Sequence, residues 1–385
     1  MATQLAPNPV ELRPIDQGGD LAAFIDLPNE IYRGKPGYIP PLNLERHETL
    51  SPKKNAYYQH AEGQYWLAMR GGRPVGRVSA QIDQLHLQRH GEKTGHFGLL
   101  DAIDDADVFD ALLEAAEQWL RARGMTTIRG PFNLSINEEC GLLVDGFEHP
   151  AMLMMPFAPA YAEKHLLARN YRKATDLLAY SLDLHPDMNL RGERLLKRIA
   201  KEGRIKIRPI DMSRYKAELG VVLDIFNEAW SDNWGFVPFT EAEMQQIAKG
   251  MRPLVRPALN LIAEIDDEPA AMIVCLPNLY EAIDDLNGRL LPFGWAKLLW
   301  RLRTLPFKSG RVPLMGVRKK HHGTIVGSAL VQLLFKSLHG GLIEQGFERL
   351  EMSWILEDNM PMRRLLEDLG GEPYRTYRIV EKPLN

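Results

Sequence analysis

Two phrases of this chain occur twice in the same order, and that repetition constrains its architecture more than any single motif. ELRPID, ending at Asp16, returns as KIRPID, ending at Asp211. LLARNYRKATDLLAYSLDL, from Leu166, returns as LLEDLGGEPYRTYRIVEKPL, from Leu365. Both offsets are about 200 residues, and phrases repeated in order at one offset mark a duplicated structural unit. The first phrase of each pair reads as a short alternating strand before a polar helix start; the second reads as helix end, turn and long alternating strand. The 385 residues suit two such units at roughly 100 to 200 residues per domain. The expected division is a first unit over 1–190, a linker over 191–203 and a second unit over 204–385 with an insertion at 287–311.

The elements inside each copy follow one order. In the first, a helix around Leu21 to Tyr32 and a long loop lead to strands QYWLAMR and PVGRVSAQID, turned at Gly71-Gly72. A strand near His96 to Leu100, the helix VFDALLEAAEQWLRARG stopped at Gly124, and strand TTIRG follow. In the second, helix KAELGVVLDIFNEAW precedes strands LIAEID and AAMIVCL; after the insertion come strand VPLMGV, helix SALVQLLFKSLHGGLIEQG and strand RLEMSWI. The resulting order, β-α-β-β-β-α-β-α-β, is a mixed α/β sheet with helices on both faces.

A formal net charge of −3 argues against nucleic acid as a partner. Cys140 and Cys275 form no CxxC and no metal-type spacing with histidine, so a reduced protein without structural metal is expected. The amino terminus lacks signal-peptide character, and no apolar run approaches the roughly 18 residues of a membrane span. The expected location is cytoplasmic.

The segment from Leu314 to Leu330, LMGVRKKHHGTIVGSAL, is a short apolar strand, a basic Gly-containing turn and the start of a helix. A helix opening on such a turn offers bare backbone N–H groups and the positive end of its dipole to a phosphate. An ordinary strand-to-helix connection is the alternative.

In its order of elements and in this turn, the second unit resembles the GNAT acyltransferase superfamily. The family's turn, R/Q-x-x-G-x-G/A, wraps the pyrophosphate of coenzyme A; here it reads His322-Gly323-Thr324-Ile325-Val326-Gly327. His322 replaces the usual Arg or Gln and Ile325 the middle Gly, while Gly323 and Gly327 are retained. The resemblance implies acyl-CoA as donor, held by Met315, Gly316, Val317, Arg318, Lys319, Lys320, His322, Gly323, Thr324, Ile325, Val326, Gly327 and Ser328. Asn359 takes the place of the family's Asn after the fifth strand, and the tyrosine acid common on the next helix is replaced by Leu366. The first unit has the acidic GLLDAIDDADVFDALL where the cofactor turn belongs, so it reads as a degenerate copy. The whole chain is similar to a bacterial N-acyltransferase family that includes bacterial ceramide synthases.

Amide formation from a thioester needs a neutral amine and a polarised carbonyl. Backbone N–H groups around Met315 to Val317 would polarise the carbonyl. An amine with a pKa near 10 must first lose a proton, for which Glu357, Asp358 and His322 are the candidates. Solvated acids at a helix start and a solvated turn histidine are the alternatives. Asn133, Asn137, Glu138 and Glu139 can recognise hydroxyl and ammonium groups of an acceptor, or cap local turns. Asn227, Glu228, Trp230, Asn233 and Trp234 are the candidate wall of the acceptor site in the second unit.

From Arg289 to Arg311 the insertion carries six basic residues and no acid, interleaved with Trp295, Trp300 and leucines. This is the composition of a helix lying on an anionic membrane surface, here the inner face of the cell membrane; a helix packed on its own domain is the alternative. The leading functional expectation is an acyl-CoA-dependent N-acyltransferase acting on a long-chain sphingoid-type amine to give a (dihydro)ceramide. A small-amine acetyltransferase, a transferase using an acyl carrier protein, and a non-catalytic ligand sensor of the same fold are the other readings.

Overall fold

The computed structural model describes residues 8–15, 21–188 and 204–385; the expected linker over 191–203, and Asp16 of the first repeated phrase, lie outside them. The chain forms two compact units that interleave in sequence: residues 1–176, 283–291 and 376–385 in the first, 177–282 and 292–375 in the second.

The first unit contains β1 (Val10–Ile15), β2 (Ala61–Arg70), β3 (Arg73–Asp83), β4 (Thr94–Ala102) and β5 (Thr127–Gly130). β1 to β4 are antiparallel neighbours in order, and β5 joins β4 in parallel at only three pairs, from Thr94↔Thr127 to His96↔Arg129. The β2–β3 hairpin turns on Gly71 and Gly72, both in the left-handed region that glycine adopts without steric cost. The helix Ala106–Arg121 buries Val108, Phe109, Leu112, Leu113, Ala116 and Leu120, the 3.6-residue stripe visible in its sequence. The short strands β6 (Phe132–Asn133), β7 (Glu139–Cys140) and β8 (Leu142–Asp145), a helix Tyr161–Ala168 and β9 (Arg172–Asp183) follow.

The second unit repeats the scheme with β10 (Ile205–Pro209), β11 (Asn260–Ile265), β12 (Glu268–Pro277), β13 (Ser309–Val317), β14 (Arg349–Leu356) and β15 (Glu372–Pro383). β10 to β13 are antiparallel in order, β14 joins β13 in parallel, and the Leu177–Asp183 part of β9 borders β14. β15 is divided between the units: its residues from Thr376 belong to the first, and of these Val380–Pro383 pair with β5. Helix Tyr215–Ala229 packs Val222, Ile225 and Phe226 on the sheet face carrying Ile262 and Met272. Helix Ile325–Glu344 lies along β10 to β13. Contrary to the expectation that no apolar run is this long, its 20 residues meet the length and composition of a membrane span. Packing explains the composition, because Leu330, Leu334, Phe335, Leu338 and Leu342 are buried against its own unit.

Three further helices, Asn43–Thr49, Gln84–His90 and Glu241–Met251, occupy stretches whose periodicity gave no helix. Two are set by local caps. Asp83 accepts from the N–H groups of Leu85 and His86, and Thr240 with Glu243 forms a reciprocal capping box.

In the first unit the space above the β4–β5 pairing is filled by the chain itself: a Cβ on Gly98 would stand 1.7 Å from the Phe132 carbonyl oxygen. Gly98→Ala should therefore cost about 1–3 kcal/mol of unfolding free energy; urea denaturation indistinguishable from wild type would contradict this close approach.

Candidate functional site

The site begins where two parallel strands part. β13 and β14 pair at Ser309↔Arg349, Gly310↔Leu350, Arg311↔Glu351 and Val312↔Met352, and no further. Beyond that point β13 stays on β12 and β14 stays on β9. The cause is local. Between Leu276↔Arg311 and Val274↔Leu314 β13 holds one more residue than its partner, a bulge that bends the strand away.

Alternation then decides which backbone groups face the split. The Arg318 N–H donates to Ala270 O on the β12 side at 2.8 Å, so Met315 and Val317 turn theirs to the opposite edge. Their carbonyls accept from side chains there: the Trp230 indole donates to Met315 O at 2.8 Å, and His322 donates from Nε2 to Val317 O at 2.7 Å. The Met315 and Val317 N–H groups share this edge and are placed to polarise a carbonyl laid along it.

At the top of β13 the turn closes onto the helix Ile325–Glu344. Thr324 Oγ1 caps it by accepting from Gly327 N–H at 3.0 Å, which leaves the N–H groups of Ile325 and Val326 for an outside acceptor. Gly327 is required: a Cβ there would lie 2.1 Å from His321 O. Gly323 has φ +68°, a conformation glycine adopts freely. The helix end is uncharged, so its dipole is unopposed, and the cradle fits a pyrophosphate.

The basic residues beside this turn, expected as phosphate contacts, each meet a carboxylate of the chain. Arg318 donates to Glu228 and Asp224 at 2.5 Å each and to Pro269 O at 2.7 Å. Lys319 pairs with Asp232 at 2.6 Å, and Lys320 with Glu268 at 3.3 Å. They clamp the turn to helix Tyr215–Ala229 and to the β11–β12 turn. His322 is committed to Val317 O. In neighbouring His321, burial and then the Lys320 charge lower the imidazole pKa, and its buried Nε2 has no partner.

Of the expected acceptor wall, Trp230 reaches the split, packed at 4.8 Å on Phe226. Asn227 is tied to the Phe239 backbone and Glu228 to Arg318 and the Lys319 N–H. Asn233 and Trp234 lie in the turn after that helix. Asn133, Asn137, Glu138 and Glu139 belong to the first unit. There Asn133 Oδ1 accepts from the Leu99 N–H at 2.8 Å, filling a position on β4 that resembles the free edge of β13. Asn133 Nδ2 donates to Glu139, whose other oxygen takes Arg46. Burial opposes it, yet the Arg46 charge holds the Glu139 carboxyl below its ordinary range. The first unit's helix Ala106–Arg121 is capped by Asp105, which takes Val108 N–H and Arg70. A carboxylate occupies the place where an anion would bind.

Glu357 and Asp358 stand on the turn after β14, Asp358 exposed. Asn359 caps the helix Met360–Asp368, its Oδ1 accepting from Met362 N–H at 3.3 Å. Leu366, on the same helix, is 1% exposed. Sequence reasoning missed a polar group at the root of the split. Arg311, expected among the basic residues of the insertion, is instead inside β13, where it and Glu351, 2% and 1% exposed, face each other across β13 and β14. Arg311 Nε donates to Ser353 Oγ at 3.0 Å, Ser353 Oγ donates to Glu351 at 2.6 Å, and Tyr374 donates to the other Glu351 oxygen. The available signal was one charge of each sign inside two otherwise apolar strands.

No family model matches the sequence. The bacterial ceramide synthase of Caulobacter vibrioides is 48% identical over 372 residues, 96% of this chain and 97% of that protein. Protein YghO of Escherichia coli K12 is 45% identical over 370 residues, 95% of this chain and 93% of that protein. Among solved structures, a tandem GNAT protein from the clavulanic acid biosynthesis pathway superposes with a TM-score of 0.58 at 14% identity, covering 98% of this chain and 99% of that one. The fold is therefore the tandem GNAT fold.

The contrast between Thr324 and Asp105 is testable by exchange. Thr324→Asp keeps a competent cap but adds a negative charge at the helix end. Coenzyme A affinity in calorimetry should drop about fivefold or more at low salt, the effect of roughly 1 kcal/mol.

Proposed function

The chain belongs to the family that holds the Caulobacter bacterial ceramide synthase and YghO, and on that premise we propose that it transfers a long acyl chain from acyl-CoA to the amine of a sphingoid-type base. The observation that carries the donor side is the split of the second unit, which ends on an uncharged, glycine-dependent helix start. The diphosphate of the donor would sit on the N–H groups of Ile325 and Val326, and its thioester arm along the free edge of β13. Met315 and Val317 would hydrogen-bond the amide groups of that arm, and at the root of the split the amine nitrogen would bond to the carbonyl carbon as the thiolate leaves.

A lipid acceptor agrees with the surface of the helix Gly294–Thr304. An ordinary surface helix turns its apolar side inward. Here Leu298, Leu302 and Arg301 are the half-buried residues, Arg301 donating to Ala282 O at 2.8 Å. Phe293, Trp295, Leu299 and Trp300 point to solvent with 77%, 51%, 46% and 64% exposure, accompanied by Lys297 and Arg303. Aromatic and aliphatic side chains bracketed by cations suit the boundary of an anionic bilayer. An enzyme held there meets both long-chain substrates where they partition, which makes peripheral attachment to the inner face of the cell membrane part of the proposal.

Mass spectrometry of products formed from mixed acyl-CoAs and a panel of amines should give N-acylated long-chain bases. Products confined to short amines, or formed only from acyl carrier protein, would redirect the assignment. The double variant Leu299→Glu/Trp300→Glu should lose most of its sedimentation with anionic vesicles; an unaltered bound fraction would remove the membrane component.

A further inference from the structure

An amine acceptor must give up a proton as the amide forms, and the polar group at the root of the split is arranged to take it. Arg311, Glu351, Ser353 and Tyr374 come from three different strands, and three of them are nearly inaccessible, with 2%, 1% and 3% exposure. Burying a carboxylate costs several kcal/mol unless its charge and lone pairs are met. Glu351 is met on one oxygen by Ser353, which is itself held by Arg311, whose Nε is 3.4 Å from the carboxylate; the other oxygen receives the Tyr374 hydroxyl. Tyr374 is the half-exposed member of the group. One hydrogen bond thus connects an accessible phenol to a buried carboxylate.

The position fits the reacting atoms. Arg311 and Glu351 form the pair immediately before Val312↔Met352, after which the strands part. From Val317 down to Val312 the strand spans about 17 Å at 3.3 Å per residue, the reach of an extended pantetheine arm starting at the turn. A thioester anchored by its diphosphate at the helix start is therefore delivered to the root of the split.

We infer that Tyr374 is a catalytic residue of the transfer and that Glu351 is the buried acceptor acting through it; this rests on the acyltransferase reading above. As nitrogen bonds to the carbonyl carbon, its proton passes to Tyr374 Oη while the Tyr374 proton moves to Glu351. The carbon–sulfur bond breaks, the thiolate takes a proton from water, and Glu351 returns its proton to solvent by the same path. Arg311 and Ser353 position the carboxylate.

The test uses the full chain with a long-chain base and acyl-CoA. Tyr374→Phe should lower kcat by about 10²-fold or more with KM for acyl-CoA retained, measured below its melting temperature, which should fall because one buried Glu351 oxygen loses its donor. Glu351→Gln should lower kcat similarly with KM for acyl-CoA retained, and should change the shape of the kcat–pH profile. Tyr180→Phe removes a different phenol of the same unit, bonded to Glu367 and Arg363, and should leave the profile unchanged. A Tyr374→Phe enzyme with wild-type kcat and pH profile overturns the relay while leaving the functional reading intact. A wild-type protein that acylates no amine overturns both.

Discussion

Everything at the candidate site depends on four residue pairs between β13 and β14 and on their abrupt end. A strand edge released from its partner carries backbone groups that need new acceptors and donors. The carbonyls of Met315 and Val317 find theirs in Trp230 and His322, which fixes helix Tyr215–Ala229 and the basic turn around the opening. The N–H groups on the same edge remain directed into it. The bulge at Val312-Pro313 is thus the origin of both the cleft and the polarising edge within it.

The same architecture in the first unit is used in the opposite sense. Its parallel pairing also stops early, at His96↔Arg129, but Phe132 and Asn133 move into the gap. Asn133 satisfies the Leu99 N–H, and Asp105 neutralises the helix end with a fixed negative charge. Both substitutions replace what a ligand would supply by what the chain supplies to itself. The duplicated fold is retained, while only in the second unit does a neutral threonine cap the corresponding helix.

The charged residues around the second unit's turn have partners that their sequence does not show. Arg318, Lys319 and Lys320 look like a phosphate cradle in sequence, yet each meets a carboxylate from a neighbouring element. Their work is to hold the turn in place. The groups left over for an anion are backbone N–H groups, which leave no mark in a sequence beyond the glycines that permit close approach.

The duplicated phrases, the 3.6-residue stripe of Ala106–Arg121, the hairpin at Gly71-Gly72 and the glycines Gly323 and Gly327 made the tandem α/β fold and the strand-to-helix turn legible from residues alone, because period and backbone freedom are local properties. Helix Glu241–Met251 was concealed by its weak stripe, although its capping box is a local signal. The partners of Arg311, Glu351 and Tyr374 had no such trace. These residues lie on three strands separated by tens of residues, and only sheet order brings them together. The outward-facing apolar side of Gly294–Thr304 was legible as composition, while its orientation was decided by which residues the rest of the unit left uncovered. Sequence by itself determined the elements and their repetition; tertiary structure decided which polar groups are neutralised by the chain and which remain for a ligand, since that depends on distances across strands rather than spacing along them.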